Sequence, residues 1–274
     1  MMLLPGDLFL GTPGHRESPR WVVGGIPKHG LLPGKKYWLL TPSGLVGDLV
    51  AGTPVAKPFL GQAKYLGAIV RGDGHIVTIR DFAAKPERRT DHHAPVFLIL
   101  GTSPHAGKTT AGLMVLRMLL NQGHSTVITL KATGTAALGE IMAYQDFGAA
   151  QAFDCVDFGL PSTHPPNRAG MGRLFDRVLD ACLSIPAHAV VIECGGDMIG
   201  LNVPTFLRRL KRRRARPKII LAARDALGAF GATAMLRKMG LWVDLITGPC
   251  TDTPAGRQRT EALCKTQTIN LVGP

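Results

Sequence analysis

GTSPHAGKTT, residues 101–110, decides how this chain is read. Ahead of it, VFLIL (96–100) is an apolar run of strand length; behind it, AGLMVLRMLLNQ (111–122) carries apolar residues at helical spacing. A glycine-bearing turn between a buried strand and a helix, closing on Gly-Lys-Thr, is the context expected of a phosphate-binding loop. Backbone N–H groups of such a loop surround phosphate oxygens, and the helix dipole adds to the attraction. Gly101, Thr102, Ser103, His105, Ala106, Gly107, Lys108, Thr109 and Thr110 are therefore expected to hold ATP. Lys108 is expected to reach the β and γ phosphates, and Thr109 to bind Mg2+.

Outward from the loop, short apolar runs alternate with longer amphipathic stretches. Strands are predicted at 96–101, 126–131, 189–194, 218–223 and 243–247, with a short one near 268–272. Helices are predicted at 108–122, 168–184, 201–214, 225–239 and 254–265. Alternation of this kind builds βαβ units, and strands apolar on both faces are covered by helices on both sides. The expected fold class is α/β, a doubly wound and mostly parallel sheet.

Upstream the pattern differs. Runs at 36–40, 66–70 and 75–80 read as short strands among Pro and Gly, and RGDG (71–74) reads as a hairpin turn. The stretch 83–95 is polar and proline-punctuated. We therefore expect a small β-rich domain over 1–85, a linker over 86–95 and a nucleotide-binding α/β domain over 96–274. His92 and His93 in that linker lack the companion ligands a metal site requires.

The formal net charge is +13, but eight basic residues and no acid lie within 208–218, and without them it falls to +5. A helix end leading into a buried strand explains such a run, since cations suit a helix C-terminus. Nucleic acid is the sharper alternative and is not the favoured one. The five cysteines, Cys155, Cys182, Cys194, Cys250 and Cys264, are widely spaced with no CxxC pair, which suggests reduced thiols. No apolar run is long enough to span a membrane and no leader pattern opens the chain, so a cytoplasmic protein is expected.

Five residues, not four, separate Gly101 from Gly107. In this the loop resembles that of the dethiobiotin synthetase and cobyric acid synthase group of P-loop NTPases. Two further elements match. Lys131 ends the second strand, and Glu193 ends AVVIEC (189–194) ahead of Gly195 and Gly196, similar to the group's Glu-Gly-Ala-Gly-Gly element. The stretch 219–241 resembles the group's strand, Leu-Gly turn and helix beside the nucleotide. The similarity spans about 96–247. It implies catalytic roles for Lys108, Lys131 and Glu193, with Glu193 a magnesium ligand and Lys131 contacting substrate or the transferring phosphoryl group. A homodimer is implied too.

Ser103 stands where dethiobiotin synthetases carry an acid that helps to hold the metal, and their substrate-binding segments are not recognisable here. The metal is then expected to draw on another acid. Residues 153–168 resemble a branch that includes enzymes modifying amino acids such as D-glutamate, marked by a Thr-Gly element and paired acids. Thr133 fits the first, and Asp154 and Asp157 fit the second. Asp157 is thus a candidate metal ligand, and Thr133, Asp154, Asp157 and His164 are candidate substrate contacts. Turn capping is the plain alternative for both acids. The favoured activity is Mg-dependent use of the ATP γ-phosphoryl group on a carboxylate or amino-acid-like small molecule, as kinase or ligase. The alternatives are acyl transfer from acetyl-CoA and a nucleotide-dependent switch.

Overall fold

The computed structural model describes residues 3–18, 21–54, 60–85, 94–164, 168–213 and 216–273. Most of the expected linker, with His92 and His93, lies outside the described residues, as does Arg214 of the basic run.

Near the N-terminus, β1 (Thr12–Pro13), β2 (Arg16–Glu17), β3 (Val22–Gly25), β4 (Lys36–Leu39), β5 (Leu45–Gly52) and β6 (Gln62–Lys64) form one sheet in the order β2-β3-β5-β4-β6. β1 runs parallel to β5 and the other pairings are antiparallel. Its core is small, built on Val22, Leu40 and Leu45. Of the three predicted strands only 36–40 forms one. At 66–80 a single bridge, Val70 to Ile76, closes over the predicted turn, where Arg71 N–H donates to His75 O at 2.9 Å. Leu66, Ile69, Val70 and Ile76 are exposed there, so apolar residues meet no second face to pack on and the ladder does not extend.

From Val96 the chain alternates as expected: β7 (Val96–Gly101), α1 (Lys108–Asn121), β8 (Val127–Thr133), α2 (Leu138–Asp146), β9 (Gln151–Phe153), α3 (Arg168–Ser184), β10 (Ala189–Cys194), α4 (Val203–Arg212), β11 (Lys218–Ala222), α5 (Ala226–Lys238), β12 (Leu245–Thr247) and α6 (Pro254–Cys264). The strands lie in the order β12-β11-β7-β10-β8-β9, all parallel. Helix α2 and strand β9 are not among the predicted elements. At 268–272 only one bridge forms, Ile246 to Thr268, in place of the predicted last strand.

Side-chain parity divides the core. Leu98, Leu100, Ile128, Leu130, Val190 and Ile192 face the cluster that includes Phe175 of α3 and Phe206 of α4. Ile99, Val127, Ala189 and Val191 face α1 and Tyr144 of α2. Because side chains alternate along a strand, Lys131 and Glu193 fall on the second face, toward α1 and α2.

The basic run is partly neutralised. Arg209 pairs with Asp176 of α3 at 3.0 Å, and Arg213 pairs with Asp176 and Asp180. Those two cations knit α4 to α3 and do not face outward. No helix among the described residues is long and apolar enough to cross a membrane.

Candidate functional site

β7 lies between β10 and β11, and the chain leaves it for the β8 side before returning to the other side. The strand order therefore reverses at β7, and the crevice outside the carboxyl ends of strands at such a point is where open α/β sheets hold ligands. Residues 101–107 fill that place. Thr102 N–H donates to Ala222 O at 3.0 Å, and Arg224 N–H donates to Thr102 Oγ1 at 3.4 Å, which tie the loop to the end of β11.

Lys108 is the first residue of α1, and its ammonium folds back to donate to Ser103 O at 2.9 Å. Gly101 permits that path, since a Cβ there would stand 2.6 Å from Lys108 Cγ and Cδ. Burial lowers the Lys108 pKa, against the opposing pull of the Glu193 and Glu140 carboxylates. Thr109 Oγ1 donates to Glu193 Oε1 at 3.1 Å. Glu193 and Lys131 are register partners on β10 and β8, which brings the second-strand lysine beside the acid that Thr109 contacts.

Two residues of α2 complete the cluster, and sequence reasoning missed both. Tyr144 donates from its hydroxyl to Glu193 Oε2 at 2.8 Å, and Glu140 forms an ion pair with Lys131. Glu193 is only 2% exposed. Desolvation, and next the Glu140 charge, raise its pKa, while Lys131 and the Tyr144 hydroxyl pull it down. The Tyr144 phenol in turn is pushed well above its ordinary value by burial and by Glu193. The available signal was an acid and a tyrosine four apart in GEIMAYQD, which share one face of a helix.

Close approach by Tyr144 depends on Gly112. A Cβ at that position would meet the Tyr144 hydroxyl at 2.0 Å. Gly112→Ala is expected to gain about 1 kcal/mol of helix propensity yet lose about 3 kcal/mol from overpacking and the displaced hydrogen bond, for a net destabilisation of about 2 kcal/mol. Urea denaturation reads it, and Tyr144→Phe should recover part of the loss in the double variant; a variant as stable as wild type would show that Tyr144 yields without cost.

The other expected site residues divide. Asp154 follows β9 and carries a pKa raised mainly by burial, with the Lys131 charge acting against the rise. Its Oδ1 accepts from Val156 N–H at 2.6 Å, and Asp157 Oδ2 accepts from Asp154 N–H at 2.8 Å. Both acids thus cap one turn, and no hydrogen bond joins Asp157 to Thr109 or Glu193 among the described residues. Thr133 Oγ1 donates to Gly195 O at 3.1 Å and fastens the ends of β8 and β10 together. His164 Nδ1 lies 2.8 Å from Glu17 Oε2 of the N-terminal sheet, while His105 is exposed in the loop at φ 61°. All five cysteines are free and buried, and Cys194 has its thiol pushed up to about 12 by burial, which suits packing and not nucleophilic attack.

The donor set suits a magnesium-bound polyphosphate. The N–H groups of His105, Ala106, Gly107, Lys108, Thr109 and Thr110 find no acceptor among the described residues, and the buried Ser103 hydroxyl has no partner. Unpaired donors in one concave turn are what an anion with several oxygens satisfies. Among the described residues no group of three or more His, Cys, Asp or Glu stands together as a metal site, so a magnesium ion held by Thr109 and Glu193 would take its remaining ligands from phosphate and water.

The fold is a doubly wound, parallel α/β sheet with an additional, mostly antiparallel sheet. No protein-family model matches the chain, and no curated protein matches it. Solved structures similar to it include the signal recognition particle receptor FtsY from Elizabethkingia anophelis in complex with GDP, at 14% identity over 69% of this chain and 60% of that one, TM-score 0.46. The cell division protein FtsY from Thermotoga maritima is 21% identical over 62% of this chain and 57% of that one, TM-score 0.37. The signal recognition particle 54 kDa protein from Aeropyrum pernix K1 in complex with GDP is 16% identical over 69% and 43%, TM-score 0.42. The chain spans less than two thirds of each, and likeness at this level carries neither their nucleotide nor their partners to it.

Proposed function

We infer that the chain binds ATP with Mg2+ at residues 101–110 and uses the γ-phosphoryl group on a small carboxylate or amino-acid-like substrate, as a kinase or ligase. The observation that carries this is the loop itself: unpaired N–H groups across 105–110, with Lys108 and the Thr109–Glu193 pair at its base. Phosphoryl transfer asks a protein mainly for positioning and charge neutralisation, and these groups supply both. Magnesium, when bound, offsets charge on the phosphate oxygens. Lys108 would hold the β and γ oxygens, Glu193 would keep Thr109 aimed at the metal, and Lys131 would meet the group being transferred. The resemblance to the dethiobiotin synthetase group supports small-molecule chemistry. Thr133, Asp154 and His164 remain the candidate substrate contacts on this reading, and Leu138 N–H donates to Ser43 Oγ of the N-terminal sheet. We take 1–85 and 96–274 as two domains on this account, the first closing one wall of the substrate site.

Melting curves of the full chain with ATP, GTP and acetyl-CoA, each with and without magnesium, test the reading. At 100 times its Kd, Mg-ATP should stabilise the protein by about 2.7 kcal/mol, and a metabolite panel should then contain one substrate that speeds ADP formation. Stabilisation by acetyl-CoA with none by nucleotide would overturn it in favour of acyl transfer, and stabilisation by GTP alone in favour of a switch.

A further inference from the structure

Lys131 is 6% exposed, yet among the described residues its ammonium has one ionic partner, the Glu140 carboxylate. Glu140 itself is 37% exposed and stands in the first turn of α2. With Lys108 and Glu193 these groups form two cations and two anions, and the Asp154 carboxyl couples to Lys131 as well, so the set has no net positive charge before any ligand arrives. A magnesium nucleoside triphosphate is still an anion, and such a site gives it little net attraction. If Glu140 leaves, Lys131 becomes a buried cation that an incoming oxygen can satisfy.

The element that carries Glu140 is lightly held. Tyr144 is the one buried residue of α2, Leu138 and Met142 are exposed, Ala137 supplies no side-chain cap, and the helix start is held by hydrogen bonds from Leu138 N–H to the exposed Ser43 hydroxyl and from Ala137 to Asp154. Few buried contacts mean a small cost of local opening. Tyr144 sits in the second turn, so the first turn can move while the hydroxyl stays on Glu193.

We propose that Glu140 occupies the anion position on Lys131 in place of the terminal phosphoryl group of a nucleoside triphosphate, and that binding the third phosphate displaces Glu140 with the first turn of α2. The inference rests on the nucleotide reading of residues 101–110. It makes Glu140 a specificity residue that taxes triphosphate binding and spares diphosphate binding. The cost is set by the fraction of molecules in which Glu140 has already left Lys131.

Calorimetric titration of the full chain with Mg-AMP-PNP and with Mg-ADP tests it. Glu140→Gln should tighten AMP-PNP about tenfold and ADP by less than about twofold. In a Lys131→Met background the same substitution should change neither. Equal tightening of both ligands, or of neither, overturns the inference, and so does a Glu140→Gln effect that survives Lys131→Met. Failure of the loop reading is a different result, in which neither ligand binds wild type or Glu140→Gln while both melt like folded protein.

Discussion

Lys108→Ala is expected to weaken Mg-ATP binding by roughly 100-fold or more, about 3 kcal/mol, while leaving the ligand-free protein as stable as wild type or slightly more so. The two halves have one cause. Lys108 is 7% exposed and among the described residues its ammonium donates one hydrogen bond, to Ser103 O, so it is held in place largely without water. Burial depresses its pKa, which means that the folded state holds this proton less tightly than the unfolded chain. Stability therefore rises as pH climbs from the folded pKa toward the ordinary lysine value, and alanine removes that handicap at lower pH. A bound polyphosphate reverses the preference, because anionic oxygens favour the ammonium. Affinity should then fall as pH rises through the folded pKa of Lys108, with proton uptake on binding. Titration calorimetry in buffers of different ionisation enthalpy measures both. A variant that melts lower without ligand but binds Mg-ATP normally would mean that Lys108 is a structural lysine.

Glu193→Gln should separate stability from function in the same way. The wild-type carboxylate has a pKa raised chiefly by burial, so the folded state binds its proton more tightly than the unfolded chain does. For an acid shifted upward, stability is full below the unfolded carboxylate pKa and declines as pH rises through the folded one. Glutamine has no such dependence. At neutral pH the variant should be more stable by about 1 kcal/mol, and the advantage should vanish as pH falls to the ordinary carboxylate range. One of the two hydroxyls that donate to Glu193, Thr109 Oγ1 or the Tyr144 hydroxyl, can still donate to the amide oxygen, and the other must turn its own proton away to accept from the amide N–H. Magnesium dependence should suffer instead, with roughly 10–100-fold weaker Mg-ATP binding and little change in magnesium-free binding. Denaturation across pH and titration with and without magnesium are the measurements. A variant less stable than wild type at neutral pH would place the value of Glu193 in its hydrogen bonds and not in its charge.

The legible part of the site lies where local order and chemistry coincide. Glycines, Lys108 and Thr109 sit within ten residues, so the strand-to-helix turn that gathers them is readable from one short stretch. Glu193 and Lys131 are far apart in the chain but both end apolar strands, and strand ends of a parallel sheet share an edge. The basic run was less informative, because charge in sequence does not reveal direction. Arg209 and Arg213 are turned toward acids of α3, and the helix spacing that does this is invisible until α3 and α4 are placed together.

By itself, the amino-acid sequence determined the strand, glycine-bearing turn and helix around 101–110, the parallel α/β class and the strand ends that bear Lys131 and Glu193. Each follows from periodicity or from residues adjacent along the chain. Only the tertiary structure decided what Glu193 and Lys131 touch. Tyr144 is 1% exposed because α2 packs over the odd face of β10, and Gly112 of α1 leaves room for its hydroxyl. Glu140 reaches Lys131 from the same helix. Those contacts join α1, α2, β8 and β10, and no local pattern encodes a meeting of four elements, since it exists only once the sheet's parity has turned both residues toward the same pair of helices.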